Sequence, residues 1–157
     1  MKRVLAVALL ALTVAACSQK EETKPAAAPA SQGQVAKKEA VVVIPNSVKG
    51  KWKAVKIAVT DKTTNKETDY TVAIGSTFAI PNSNLAIKVE NFLPHFVMEG
   101  TTLTSQSNEP KNPAAQVRIL EGGKEIFKGW LFTLYPTTHA FQHPRYGFAL
   151  VDFVPAS

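Results

Sequence analysis

The residues with the clearest capacity for chemistry are two histidines near the C-terminal end of the chain. His139 and His143 are four positions apart, a spacing that would place both imidazoles on one face of a helix as metal ligands. Pro136 and Pro144 bracket the pair, so the segment has room for at most one or two turns. No Cys, Asp or Glu stands beside them to complete a site. The favoured interpretation is that each histidine caps a loop or packs on aromatic residues, and we expect no metal and no cofactor.

Other catalytic chemistry finds little support in the sequence. The single cysteine, Cys17, lies far from the other candidates, and no serine stands in a Gly-x-Ser-x-Gly setting. The carboxylates from Asp61 to Asp69 lie in a polar segment rich in Thr and Lys, where such groups are ordinarily solvated. We therefore expect no enzyme activity. The alternative is a metal-dependent or carboxylate-based enzyme that uses the loop containing His139 and His143.

The densest group of lysines in the chain lies just before and within the strand-like run 51–60. It comprises Lys49, Lys51, Lys53 and Lys56. On an extended strand the first three would share a face and could meet lipid phosphates, at about 1 kcal/mol for each cation near an anionic surface. The favoured alternative is an edge strand whose lysines discourage edge-to-edge pairing.

Aromatic residues concentrate late in the chain, and most of them must form core. The proline-bounded loop from Tyr135 to Pro144 nevertheless holds more rings and histidines than a connection requires. Loops held by rigid sheets are where binding residues usually lie. The segment 108–113 is a second place to look. The predicted ligand or partner surface comprises Trp130, Tyr135, His139, Phe141, His143, Arg145 and Tyr146.

The elements that must position these residues are short strands separated by Gly, Pro and Asn. Apolar residues alternate clearly in 85–90, and a change of phase within 51–60 predicts a β-bulge. Gly122 and Gly123 separate two strand-like runs and predict a hairpin. The run 146–154 carries bulky residues on both parities, which favours a central strand. The fold class is therefore all-β, a single small antiparallel sandwich or barrel of about seven or eight strands.

The N-terminal segment predicts export and a lipid anchor. Lys2 and Arg3 precede an apolar run that ends in Val14-Ala15-Ala16, directly before Cys17. This arrangement resembles the lipobox of bacterial lipoproteins, which implies acylation of Cys17, palmitate included, and removal of residues 1–16. In the lipoproteins that this segment resembles, a serine directly after the acylated cysteine permits transfer to the outer membrane, and Ser18 occupies that position here. The resemblance implies a protein held in the bacterial cell envelope, on the outer membrane and facing the periplasm.

Composition divides the rest of the chain. Residues 17–44 form the predicted lipidated N-terminus and a disordered linker without aromatic residues, and residues 45–157 form the β domain. Loss of Lys2 and Arg3 lowers the net charge from +6 to +4, which is too small an excess for a nucleic-acid-binding surface. The expected partners are the lipid bilayer, through acylated Cys17, and envelope proteins or glycans, with no nucleic acid.

The C-terminal part resembles a known bacterial family. Gly129-Trp130-Leu131-Phe132, followed by Phe141-Gln142-His143-Pro144-Arg145-Tyr146, is similar to the signature of the exported domain of unknown function 2155. The resemblance covers 52–153 and implies export and a domain of this size without naming a reaction. The sequence thus predicts an envelope lipoprotein of unknown specific activity that acts as a periplasm-facing binding or assembly module.

Overall fold

The computed structural model describes residues 40–138 and 140–157, and these residues form strands, turns and loops without a helix. None of them belongs to a helix long and apolar enough to cross a membrane. The predicted signal peptide, Cys17 and most of the predicted linker fall in 1–39, outside the described residues, as does His139. The strands are β1 (Val41–Val42), β2 (Trp52–Asp61), β3 (Lys66–Ala73), β4 (Thr77–Ala79), β5 (Leu85–Leu93), β6 (Phe96–Glu99), β7 (Thr102–Ser105), β8 (Ala114–Glu121), β9 (Lys124–Phe132) and β10 (Tyr146–Pro155).

Two antiparallel sheets face each other across the core. Their strand orders are β10-β2-β3 and β4-β5-β8-β9, and a small third sheet has the order β1-β7-β6, with β1 parallel to β7. The all-β prediction is confirmed, and of the two predicted architectures, a sandwich or a barrel, the separate sheets form a sandwich. The described residues contain ten strands rather than the predicted seven or eight, which included the segments around Phe78 and Phe96. The two that were missed are β1 and β7, with two and four residues. Strands that short produce no readable alternation.

The core lies between the two main sheets and is almost entirely aliphatic at its centre. Both sheets contribute fully enclosed side chains, as alternation along half-buried strands requires. Ile57, Ile87 and Ile119 are completely buried and come from β2, β5 and β8. Aromatic residues surround this centre toward both ends of the sandwich, among them Trp52 and Phe127. The packed sheets provide the rigid frame on which loops and strand edges are displayed.

The predicted hairpin is present between β8 and β9. Glu121 pairs with Lys124, and the two intervening residues, Gly122 and Gly123, have φ of 55° and 83°. Positive φ at both central positions defines the type I′ turn, whose twist matches that of the flanking strands. The hairpin places β9 at the outer edge of its sheet.

The prediction that the last strand is central is wrong, because β10 lies at the edge of its sheet and β2 is in the middle. Its bulky residues on both parities have a different cause. The register with β2 shifts between Leu150 and Asp152, so Val151 is an extra residue and is 41% exposed. After this bulge the residues on the opposite parity point inward. A matching irregularity at Lys53 of β2 confirms the bulge predicted there.

The edge-strand interpretation of the lysine group is also wrong. β2 lies between β10 and β3, so it has no free edge at which its lysines could prevent pairing with another strand. Lys49 and Lys51 precede the strand in a turn, and Lys56 lies 3.5 Å from Asp152 of β10. Contact of these lysines with lipid headgroups stays a prediction.

The first strand lies within the range assigned to the linker. Val41 donates its backbone N–H to the Thr101 carbonyl, and Val43 donates to the Leu103 carbonyl, both at 2.9 Å. Pairing with β7 therefore starts before residue 45.

Candidate functional site

An open, apolar groove of about 580 Å³ runs along β9, and we call it the β9 groove. Its volume falls within the range of ligand pockets in proteins. Six of its lining side chains are large and apolar, and one is a cation. The lining residues are Phe96, Met98, Leu103, Phe127, Lys128, Gly129, Trp130, Phe132, Thr138 and Ala140.

The floor of the β9 groove is the free edge of a β-strand. Phe127 and Gly129 pair with core residues of β8 and face inward, whereas Lys128 and Trp130 belong to the opposite parity and face outward. Consecutive residues from both faces line one groove, which is possible only where the groove follows the strand edge. Among the described residues β9 pairs with β8 alone. One side of its backbone is therefore open to a further strand.

The outer wall of the groove comes from the β6–β7 hairpin. Phe96 packs edge-to-face on Trp130 and on Phe132, with ring centroids 5.1 Å apart in each case. Met98 extends this wall and is 64% exposed, a large fraction for an apolar side chain. Leu103 completes the wall from β7. The aromatic contacts hold a small three-stranded sheet against the outward face of β9.

The inner wall depends on a close contact at Gly129. A β-carbon there would lie 2.5 Å from Cζ of Phe127, so only glycine lets this ring lie across the strand. The ring packs on Phe141 at 5.1 Å between centroids, and Phe141 packs on Phe148 of β10 at 5.8 Å. The loop after β9 is thus fixed to the core, and Ala140 of that loop lines the groove.

A row of cations crosses the outward face of the sheet and ends at the groove. Lys88, Arg118 and Lys128 are direct cross-strand neighbours on β5, β8 and β9. Arg118 donates to Glu90 at 2.6 Å and to Glu125 at 2.8 Å. These two hydrogen bonds raise the pKa of the guanidinium above its usual value. The two carboxylates are thus held by Arg118, and Lys128 ends the row at the open edge.

His143 caps the loop between β9 and β10. Its Nδ1 accepts the backbone N–H groups of Arg145 at 3.2 Å and Tyr146 at 3.0 Å. An accepting Nδ1 carries no proton, so in the neutral ring the proton lies on Nε2, which is 3.8 Å from Oε1 of Glu121. The ring also packs on Phe141 and Tyr146. The predicted loop-capping role of His143 is confirmed.

Arg145 ties the same loop to the end of β2. Its Nη2 and Nε donate to one oxygen of Asp61, at 2.8 and 3.2 Å, and its guanidinium lies 5.0 Å from the ring centre of Tyr146. The hydrogen bond from Arg145 is the main reason that the pKa of Asp61 falls to about 2. Asp61 is therefore an ion-pair partner, not the freely solvated carboxylate that its composition context predicts.

The structure distributes the predicted surface residues over different roles. Trp130 lines the groove, and Tyr135 is 57% exposed in the following loop. Phe141 packs inward, and Tyr146 is only 6% exposed and belongs to the core. The described residues contain no group of three His, Cys, Asp or Glu side chains placed to hold a metal.

One residue of the segment 108–113 supports the core, and a ligand surface on this segment stays a prediction. Asn108 accepts a 2.8 Å hydrogen bond from Nε1 of Trp52, whose ring packs on Phe92 and Phe153.

The outer wall of the groove was not predicted, because the weak signal of Phe96 and Met98 indicates only a short strand. Met98 follows two apolar residues, and nothing in the sequence indicates that its side chain is exposed.

Comparison with known proteins gives one match. The family model described as an uncharacterized protein conserved in bacteria (DUF2155) matches residues 55–152. The chain belongs to this family. The matched region runs from β2 to β10 and includes all residues that line the β9 groove. No curated protein and no solved structure matches the chain significantly.

Proposed function

We propose that this protein is a lipid-anchored binding module of the bacterial envelope that captures an extended segment of another envelope protein along the free edge of β9. The observation that carries the proposal is the lining of the β9 groove by consecutive residues from both faces of an edge strand. A groove beside such an edge offers main-chain hydrogen bonds as well as apolar contacts. This is the arrangement used in β-strand addition.

The open backbone favours a polypeptide over other occupants. The free N–H and C=O groups of an edge strand repeat with the spacing of a second strand. A glycan or an acyl chain could fill apolar space but would leave this ladder unpaired. Phe96, Met98 and Trp130 on one side, and Phe127 on the other, would give such a strand side-chain pockets on both faces.

The anchor is supported by the sequence alone. The charged and apolar segments before Cys17 match a lipoprotein signal, and Ser18 favours the outer membrane. Mass spectrometry of the membrane fraction should find an acylated N-terminal peptide that begins at Cys17. In Cys17→Ala this peptide should be missing, and the intact signal segment should remain. An unmodified Cys17 within an uncut chain would contradict the anchor.

Site-specific photocrosslinking tests the groove. A photoreactive phenylalanine analogue replaces Met98 on the outer wall in one variant and Thr138 on the inner side in another, in the full chain expressed in its own cells. Successive residues of an added strand point to opposite faces of the sheet. We therefore expect both variants to capture the same partner, at positions that lie within a few residues of each other in its sequence.

Val151 supplies the matched control, since it is also an exposed apolar residue but lies on β10 outside the groove. The same analogue at Val151 should not capture that segment. Capture of unrelated or distant segments from the two walls would overturn the proposal. Equal capture from Val151, or an adduct consisting of two copies of this chain, would overturn it as well.

A further inference from the structure

We infer that the segment bound in the β9 groove is acidic, with a carboxylate beside Lys128 and an apolar side chain two residues away beside Trp130. The inference rests on the proposed function and names the chemistry of the strand that β9 would accept. Its basis is the distribution of charge and apolar surface along the outward face of β9.

The charge requirement follows from the cation row. Lys88, Arg118 and Lys128 occupy adjacent cross-strand positions, and like charges directly opposite each other are unfavourable. Glu90 and Glu125 both bind Arg118, which leaves an excess of positive charge on this patch. The next cross-strand position beyond Lys128 lies on the added strand. A carboxylate there continues the row with the opposite charge.

Glu90 reaches Arg118 because of a bulge. The register between β5 and β8 shifts between Val89 and Asn91, so Glu90 is an extra residue outside the regular pairing. Its side chain is largely buried and hydrogen-bonded to Nε of Arg118. The carboxylate is thus held over β8 and does not neutralise Lys128 at the edge.

The apolar requirement follows from parity. Lys128 and Trp130 lie two residues apart on the outward face, so their cross-strand neighbours on an added strand also lie two residues apart. Phe96 and Met98 enclose the position next to Trp130 with apolar surface. On the added strand, the residue between these two positions and the residues directly before and after them point to the inner side of the sheet. There Phe127 and Ala140 offer further apolar contact.

A second copy of this chain fits the edge poorly. Lys124 and Lys128 both lie on the exposed part of β9, and antiparallel pairing centred on Lys128 would bring two ammonium groups face to face. Lysines on an edge strand are a recognised obstacle to such self-pairing. The same lysines attract an acidic strand.

Binding of short labelled peptides to the full chain in phosphatidylcholine vesicles tests the inference by fluorescence anisotropy. One peptide is Thr-Thr-Glu-Val-Leu-Val-Thr-Thr, and its matched partner has Lys in place of Glu. Each peptide is also made in a second version in which its charged residue, Glu or Lys, changes places with Leu, because an added strand can run in either direction. Of the two Glu peptides, we expect the one that binds more tightly to bind about fivefold more tightly than the Lys peptide of the same order. A cross-strand charge pair implies a difference of this size.

Charge reversal at the edge identifies the group responsible. Lys128→Glu should reverse the preference, so that the Lys peptide binds more tightly, while Lys53→Glu makes the same change of charge outside the groove and should leave the preference unchanged. Added salt should reduce the preference in the unaltered chain. Equal binding of both peptides that is lost in Trp130→Ala would overturn the acidic requirement and leave strand binding intact. Absence of binding by every peptide would overturn the inference, and the proposed function would then depend on the crosslinks alone.

Discussion

At Gly129 the packing leaves no room for a side chain. A substitution there therefore tests whether the inner wall of the β9 groove depends on the position of the Phe127 ring. Gly129→Ala would force the Phe127 ring, and with it Phe141, out of place, since the new β-carbon would lie 2.5 Å from Cζ of Phe127. We expect the free energy of unfolding to fall by about 1–3 kcal/mol, as overpacked sites generally show. Urea denaturation measures the change.

Gly147→Ala is the matched control for this substitution. Gly147 also lies within a strand at ordinary φ, but the nearest atoms to its added β-carbon would be 3.7 and 3.9 Å away. That substitution should change the free energy of unfolding much less. Equal losses in the two variants would mean that the Phe127 ring adapts freely and that glycine is not needed in the groove.

The ion pair between Asp61 and Arg145 predicts a pH dependence of stability. The pKa of Asp61 lies near 2 in the folded protein, below the ordinary value of 3.8. A depressed folded-state pKa stabilises the protein above the unfolded-state pKa, and this contribution is lost as pH falls through the folded-state pKa. Asp61→Asn should therefore have a lower Tm than the unaltered protein at pH 6, and the difference should shrink between about pH 4 and pH 2.

Thermal unfolding followed by circular dichroism at a series of pH values measures this effect. Asp69→Asn serves as the control, since Asp69 lies on the same hairpin and forms no ion pair within 40–138 and 140–157. A Tm difference for Asp61→Asn that stays constant down to pH 2 would contradict the ion-pair explanation.

Individual side chains illustrate what the sequence could reveal. The capping role of His143 was predictable because Pro136 and Pro144 leave room for at most one or two helical turns, and aromatic residues stand close to it in the sequence. The partner of Asp61 was not, since Arg145 lies 84 positions away and only the return of β10 alongside β2 brings the two together.

Among the elements, the β8–β9 hairpin is set by its turn. Gly122 and Gly123 both have positive φ, and no atom lies within 4 Å of an added β-carbon at either position. Ala at either position should therefore cost about 1–2 kcal/mol for backbone reasons alone. Gly122→Asn should cost less than Gly122→Ala, because Asn tolerates the left-handed region and is common in type I′ turns. Chemical denaturation of the variants compares them, and equal losses for Asn and Ala would contradict this turn type.

Strands and hairpins were predictable where alternation was long and glycines paired, as in β5 and around Gly122. The position of β10 was not, because a bulge at Val151 imitates the pattern of a strand covered on both faces. The β9 groove was also hidden. It requires the β6–β7 hairpin to pack on Trp130 and Phe132, a contact between separate strands that no local pattern records.

For the molecule as a whole, β1 links the N-terminal segment to the small sheet. Removal of residues 1–44 should leave the main core intact, since the core cluster begins at Val55. The loss of the backbone hydrogen bonds donated by Val41 and Val43, and of the bond from Thr104 to the Val43 carbonyl, should cost about 1–3 kcal/mol. Hydrogen exchange should become faster in β6 and β7 while β2, β5 and β8 remain protected.

Removal of residues 1–39 alone is the control, because it keeps β1. The backbone amides of β6 and β7 should then exchange as in the full chain. Faster exchange throughout both main sheets after removal of 1–44 would contradict the view that β1 supports only the groove wall.

The pairing of β1 with β7 connects the start of the described chain to the outer wall of the β9 groove. Val43 is bonded to the backbone of Leu103, which itself lines the groove, so a pull on the chain ahead of Ala40 acts first on the outer wall and only then on the core.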